Sequence, residues 1–268
     1  MARNEVRGIF LALAAGLACS SGSRLPNTSG PVALEVGGDV EGGPFRLGEA
    51  DLAALPQGEL HGVDPRTGQL ALYQGLSIAA LGERVELEKG ADTVVVRSAE
   101  GAAIPIPLSV VRQHRPVLAA RVDGGAADAR MLAWPNVRHH GLTSDPRAPS
   151  WWVRRVVRID FVAWHLVYGR AIRIPEGAPR GALAGARTFA ARCIGCHEIR
   201  GVGGANGPGL AKGGPFTDPK RLTELLAGHP GASTPNVGPL APERVEELAT
   251  FLKLISVVPA EDDGGEAP

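Results

Sequence analysis

The sequence predicts a mixed, β-rich α+β first half followed by an all-α second part. Three observations predict this. The first half carries short apolar runs separated by turn residues, and no long amphipathic helix. Ile174-Pro175-Glu176-Gly177-Ala178-Pro179 is a linker by composition. Beyond it, apolar residues recur at helical spacing, with capping chemistry at the expected ends.

The chain has 268 residues, enough for two modest domains that each bury a core. Lys+Arg and Asp+Glu both number 28, so no basic excess points to nucleic acid and no acidic excess to a wholly disordered chain. With 36 Gly, 22 Pro and 4% aromatics, short elements and many turns are expected.

Residues 1–19 read as an export signal. Arg3 and Arg7 give a positive start, diluted by Glu5, and the apolar run of residues 8–18 is too short to span a bilayer as a helix. Gly16-Leu17-Ala18-Cys19 resembles a lipoprotein signal, with Gly16 where that motif usually has Leu. The resemblance implies acylation of Cys19, a lipid anchor and a periplasmic location on the bacterial envelope; ordinary cleavage nearby is the alternative. Cysteine arithmetic agrees with the anchor. Two of the three cysteines form a CxxC pair, which leaves Cys19 as the odd one.

Residues 20–31 are small and polar, a tether. Residues 32–168 form the first domain, with strands expected at 32–36, 70–73, 94–97 and 156–162 and short helices at 48–54 and 77–81. Asp64-Pro65-Arg66-Thr67-Gly68 has the chemistry of a hairpin tip. The linker covers residues 169–180, and the second domain residues 181–257. Its first helix places Leu183, Ala186, Phe189, Ala190 and Cys193 on one face. A Gly-rich loop follows at residues 201–214. Asp218 caps the next helix, with Pro219 at its first position and Gly228 at its end. The last helix, from about Pro242, buries Val245, Leu248, Leu252 and Ile255. Residues 258–268 are an acidic tail expected to be disordered.

Cys193-Ile194-Gly195-Cys196-His197 carries the chemistry. Two thiols at this spacing can each add to one vinyl group of a haem, and the adjacent imidazole of His197 ligates the iron. One covalent haem c is therefore expected. A structural zinc site would need a second ligand pair, and the chain has no further cysteines for one. A thioredoxin-type pair would open a helix after a strand, whereas here a helix precedes the motif.

Gly185, Phe189 and Cys193, followed by Gly203-Gly204 and Gly207-Pro208-Gly209-Leu210, resemble the class I monohaem cytochrome c family over residues 181–255. The resemblance implies crossed terminal helices with Gly185, Phe189 and Phe251 at the crossing. It also implies that the Pro208 carbonyl holds the proximal imidazole. The family's second axial ligand is a Met, but Thr234 stands in its place in Thr234-Pro235-Asn236-Val237-Gly238-Pro239-Leu240. Met131, the only Met besides Met1, lies in an apolar run and reads as core. The iron is then either five-coordinate or bound by another group. His229 is the nearest candidate, and its alternative role is a solvated helix-ending histidine.

In the first domain, Asp51-Leu52-Ala53-Ala54-Leu55-Pro56, Tyr73-Gln74-Gly75-Leu76-Ser77, Val94 to Gly101 and Ser150-Trp151-Trp152-Val153-Arg154-Arg155-Val156 occur in an order similar to the molybdopterin-binding domain of the sulfite oxidase superfamily. That family binds molybdenum through a cysteine thiolate, and no cysteine lies between Cys19 and Cys193. The resemblance therefore implies the fold without the metal, and molybdopterin is not expected. Arg138-His139-His140-Gly141 with Arg154-Arg155 are either an anion pocket or solvated charge. Trp134, Trp151, Trp152 and Trp164 read as core or interface, and His61, His114 and His165 carry no spacing signal. The function expected is one-electron transfer to a redox partner in the periplasm or envelope, with the first domain as a docking or ligand-binding module. An oxidoreductase subunit and a haem sensor or peroxidase-like site with an open distal side remain as alternatives. No catalytic residue is assigned.

Overall fold

A computed structural model describes residues 25–229 and 239–257, so Cys19, Thr234 and the acidic tail lie outside the described residues. In chain order the elements are β1 (Leu34–Gly38), β2 (Phe45–Leu47), α1 (Glu49–Ala54), β3 (Gln57–Val63), β4 (Leu70–Ser77), α2 (Ile78–Arg84), β5 (Thr93–Ser98), β6 (Ala103–Pro107), α3 (Leu108–His114), β7 (Val117–Val122), β8 (Gly125–Ala133), α4 (His140–Ser144) and β9 (Val156–Val162). After a π-helical turn at His165–Gly169 come α5 (Ala182–Arg192), β10 (Glu198–Ile199), β11 (Val202–Gly203), α6 (Pro219–Ala227) and α7 (Pro242–Val257).

The strands form two larger sheets, a five-stranded one in the order β2-β1-β9-β5-β6 and a four-stranded one in the order β3-β4-β7-β8. The second is wholly antiparallel, and the first has one parallel pair, β1 with β9. The architecture is thus mixed, with several sheets. Asp64 to Gly68 turns β3 into β4, with the Asp64 carboxylate accepting from the Arg66 N–H at 2.9 Å. Asp123-Gly124, both at positive φ, turns β7 into β8. Asn136 continues the edge of β3: its amide oxygen accepts from Val63 N and its amide nitrogen donates to Val63 O, both at 2.8 Å.

The five-stranded sheet packs against a core on each face. Val94 and Val96 on β5, Ile104 and Ile106 on β6, and Ile159 and Phe161 on β9 belong to the core shared with the four-stranded sheet. Val95, Ala103 and Val162 face the other way, into a second core with Phe189, Ile194, Phe251 and Leu252. A strand buried on both faces loses its polar alternation, which explains the continuous run Val94-Val95-Val96. The two expected halves therefore share a sheet: the helical core is completed by side chains from the first half. Tyr168 and Ala171 join it too, so the chain is packed well into the expected linker.

On the second face, buried Asp160 accepts from Arg97 Nε and Arg158 Nε, each at 2.7 Å. In the first core, Trp134, Trp151 and Trp152 are buried, and the Trp134 indole N–H donates to the Trp151 carbonyl at 2.9 Å. Met131 is buried as well.

In the helical unit, α5 crosses α7 at Gly185, where an added Cβ would stand 2.0 Å from the Glu247 carbonyl oxygen. Phe189 and Phe251 meet beside it with ring centroids 5.6 Å apart. The Asp218 carboxylate caps α6 by accepting from Arg221 N at 2.7 Å. One residue departs from the helical pattern. Leu183 is 54% exposed, because Ala182, Gly185 and Ala186 take the buried face of α5.

His114, at the end of α3, meets His139 edge-on with ring centroids 4.9 Å apart. Burial, and then the neighbouring His139, hold its pKa below the ordinary 6.5. The folded chain thus keeps His114 neutral at pH values where the unfolded chain has already bound the proton, so this group's contribution to stability falls as pH drops below 6.5. Urea midpoints at about pH 5 and about pH 8 are expected to lie closer together in His114→Gln than in the native chain; equal gaps would show no linkage.

Candidate functional site

Cys193 to His197 is the last turn of α5 carried forward. Cys193 N donates to Phe189 O at 2.8 Å, and His197 N donates to Cys193 O at 2.9 Å. Residues three and four apart on such a turn share a face, which places both thiols and the imidazole together. Ile194 points the other way and is buried in the second core. Burial pushes the Cys193 thiol up to about 12, with Cys196 adding to the rise. Burial also raises Cys196, against a hydrogen bond from Asn206 and the charge of Arg66, which lower it. Neither is an activated thiolate of the kind a thiol–disulfide catalyst needs.

The Gly-rich loop wraps this turn, and its glycines are where the backbones touch. Gly204 N donates to Ile194 O at 2.9 Å and Gly207 N to Cys196 O at 2.8 Å. A Cβ on Gly204 would lie 2.2 Å from Gly195 O, and one on Gly207 would lie 2.4 Å from the His197 ring. With Gly207 against one side of the ring, His197 Nδ1 lies 2.9 Å from the Pro208 carbonyl oxygen. That oxygen can only accept, so Nδ1 donates, and in the neutral ring the lone pair is then on Nε2. A metal-ligating imidazole is typically held in this way through its other nitrogen. The Nε2 lone pair faces His229, whose Nε2 is 3.4 Å away. Burial, and then His197, lower the His229 pKa.

The donor set fits a haem held through Cys193 and Cys196 and ligated by His197. Two thiols and a pre-oriented imidazole share one turn, and the glycine at 207 leaves the ring its place.

No family model matches the chain, and no curated protein does. Among solved structures it is similar to the sulfane dehydrogenase SoxCD from Paracoccus pantotrophus, with a TM-score of 0.39 and 15% identity. The match covers 48% of this chain and 38% of that one. So slight a likeness carries neither activity nor cofactor from that protein to this chain.

The first half reaches the attachment turn directly. Ala103 N donates to Gly195 O, and Ala205 N donates to Gly101 O, both at 2.8 Å, which ties the turn and its loop to β6. A Cβ on Gly195 would lie 2.4 Å from Ile104 Cδ1. This contact is not visible in the sequence, where Gly195 is simply a variable position of the motif. Three residues of the suggested anion pocket have other partners. Arg154 pairs with Asp64 and Arg155 with Glu100, while the His139 ring lies against His114. Trp164 stacks on Tyr168 at 4.6 Å; Tyr168 belongs to the second core and Trp164 packs against it. Among the described residues no group of three or more His, Cys, Asp and Glu could hold a metal, and no helix is long and apolar enough to cross a membrane.

Proposed function

We propose that the chain is an exported c-type cytochrome that passes single electrons through one haem bound to Cys193 and Cys196 and ligated by His197. The observation that supports this reading is the His197 ring, pinned through Nδ1 to the Pro208 carbonyl, which leaves Nε2 outside that bond. When bound, the haem supplies an iron that changes charge by one. The chain's own work is to fix it: two thioethers tether it, His197 sets its axis, and the Gly-rich loop holds His197 still.

A lipid anchor on Cys19 at the periplasmic face of the envelope belongs to the same reading, as does a redox protein as partner. The first half is then a docking or ligand-binding module of sulfite oxidase type without its metal thiolate. Its sheet already forms one wall of the helical core, so it serves the haem unit structurally whatever it docks.

Full-length chain expressed with its signal, in a bacterium competent in c-type haem attachment, provides the test. The expected result is a pyridine haemochrome spectrum of thioether-linked haem that survives acid-acetone extraction, near one haem per chain. Extractable haem, or none, rejects the proposal.

A further inference from the structure

We infer that His229 is the second axial ligand of the haem, so that the iron is held between two imidazoles. This rests on the cytochrome reading above and names the group on the opposite side of the iron from His197.

Three observations carry it. The first is position: His229 Nε2 lies 3.4 Å from His197 Nε2, and the rings are tilted by 59° with centroids 5.7 Å apart. Metal–imidazole bonds of about 2 Å, as at zinc, place two nitrogens on opposite sides of one ion about 4 Å apart. Sharing an ion therefore asks these rings to separate by roughly half an ångström, which side-chain torsions can supply.

The second observation is how His229 is held. It follows the end of α6, where Gly228 N donates to Glu224 O at 3.2 Å and His229 N to Leu226 O at 3.3 Å. Leu222 anchors this helix in the second core, and Leu226 packs against that core. These contacts fix where the backbone places residue 229. The third is that, among the histidines whose side chains are described, only His229 is recorded beside His197: Met131 is buried in β8, His114 and His139 lie against each other, and His61 and His165 are exposed on β3 and the π-helical turn.

The competing account is a simple hydrogen bond, with His229 Nε2–H donating to His197 Nε2. The two accounts differ once haem is attached. Two imidazoles give a low-spin, six-coordinate iron that does not take up carbon monoxide. They also give a lower potential than an imidazole–thioether pair.

The experiment uses full-length, haem-loaded protein. The native chain is expected to show low-spin bands in both oxidation states and no carbon monoxide shift. His229→Ala is expected to become high-spin, to bind carbon monoxide stoichiometrically and to return to low spin with added imidazole. His229→Met is expected to stay low-spin with a raised potential, which covers failure of the alanine variant to fold. A His229→Ala protein with attached haem and an unchanged low-spin spectrum would overturn the assignment, as would a high-spin native protein. Absence of attached haem from the native chain would instead reject the underlying cytochrome reading.

Discussion

Gly185→Val is expected to destabilise the helical unit by about 3 kcal/mol or more, at the upper end of what overpacking costs. The reason is backbone against backbone. A Cβ at 185 would stand 2.0 Å from the Glu247 carbonyl oxygen and 2.8 Å from Phe251 Cβ. That oxygen belongs to the main chain of α7 and has no rotamer to escape into. The only relief is for α5 to lift, which loosens the Phe189–Phe251 contact and opens the core between the helices. Leu183→Val makes a suitable control, because Leu183 is 54% exposed on the same helix. Its effect is expected to stay within about 0.5 kcal/mol. Urea unfolding followed by circular dichroism reads both variants. Similar midpoints for the two would show that the crossing tolerates separation.

On the proposed attachment of haem, removing both thiols is expected to have the largest effect on cofactor content. Cys193→Ala combined with Cys196→Ala is expected to abolish covalent haem altogether, as read by haem staining after denaturing gel electrophoresis. The single variants, with one thioether left, are expected to stain more weakly than the native chain. The turn survives these changes because backbone bonds from Cys193 N to Phe189 O and from His197 N to Cys193 O build it. A double variant that still stained at the mass of the chain would falsify the attachment assignment.

Much of the fold is legible where local chemistry acts alone. β9 runs over Val156–Val162, the same bounds as the strand expected there, and Asp218, Pro219 and Gly228 mark the ends of α6. The strand expected at 32–36 begins two residues later, at Leu34. Other elements escape because their signals are weak or masked. β6 contains Pro105 and Pro107, which read as breakers, yet an edge strand tolerates proline because one side needs no ladder bond. β3 carries Gly58 and Gly62 and buries few side chains, so its alternation is faint. β7 and β8 are a different case: Asp123-Gly124 between them is a strong hairpin signal, and weighing it would have found both.

The same division holds at the site. The grouping of Cys193, Cys196 and His197 on one turn is legible because their spacing of three and four residues is helical. The nearness of His229 to His197 is not, since it depends on where α6 ends after packing. The contribution of Val95, Ala103 and Val162 to the helical core is likewise tertiary: the sequence marks these residues as apolar but not which partner they meet.

The contact of Gly195 with Ile104 bears on inheritance. Ninety-one positions separate the two in sequence, yet a Cβ at one would fall 2.4 Å from Cδ1 of the other. A side chain at 195 asks the end of the Ile104 side chain to turn aside or shorten, since that flexible end and not backbone stands in the way. The two sites are thus coupled through one movable contact. A recombination breakpoint placed between the halves would part a matched pair, and a transplanted helical unit would need a host sheet with room at the place of Ile104.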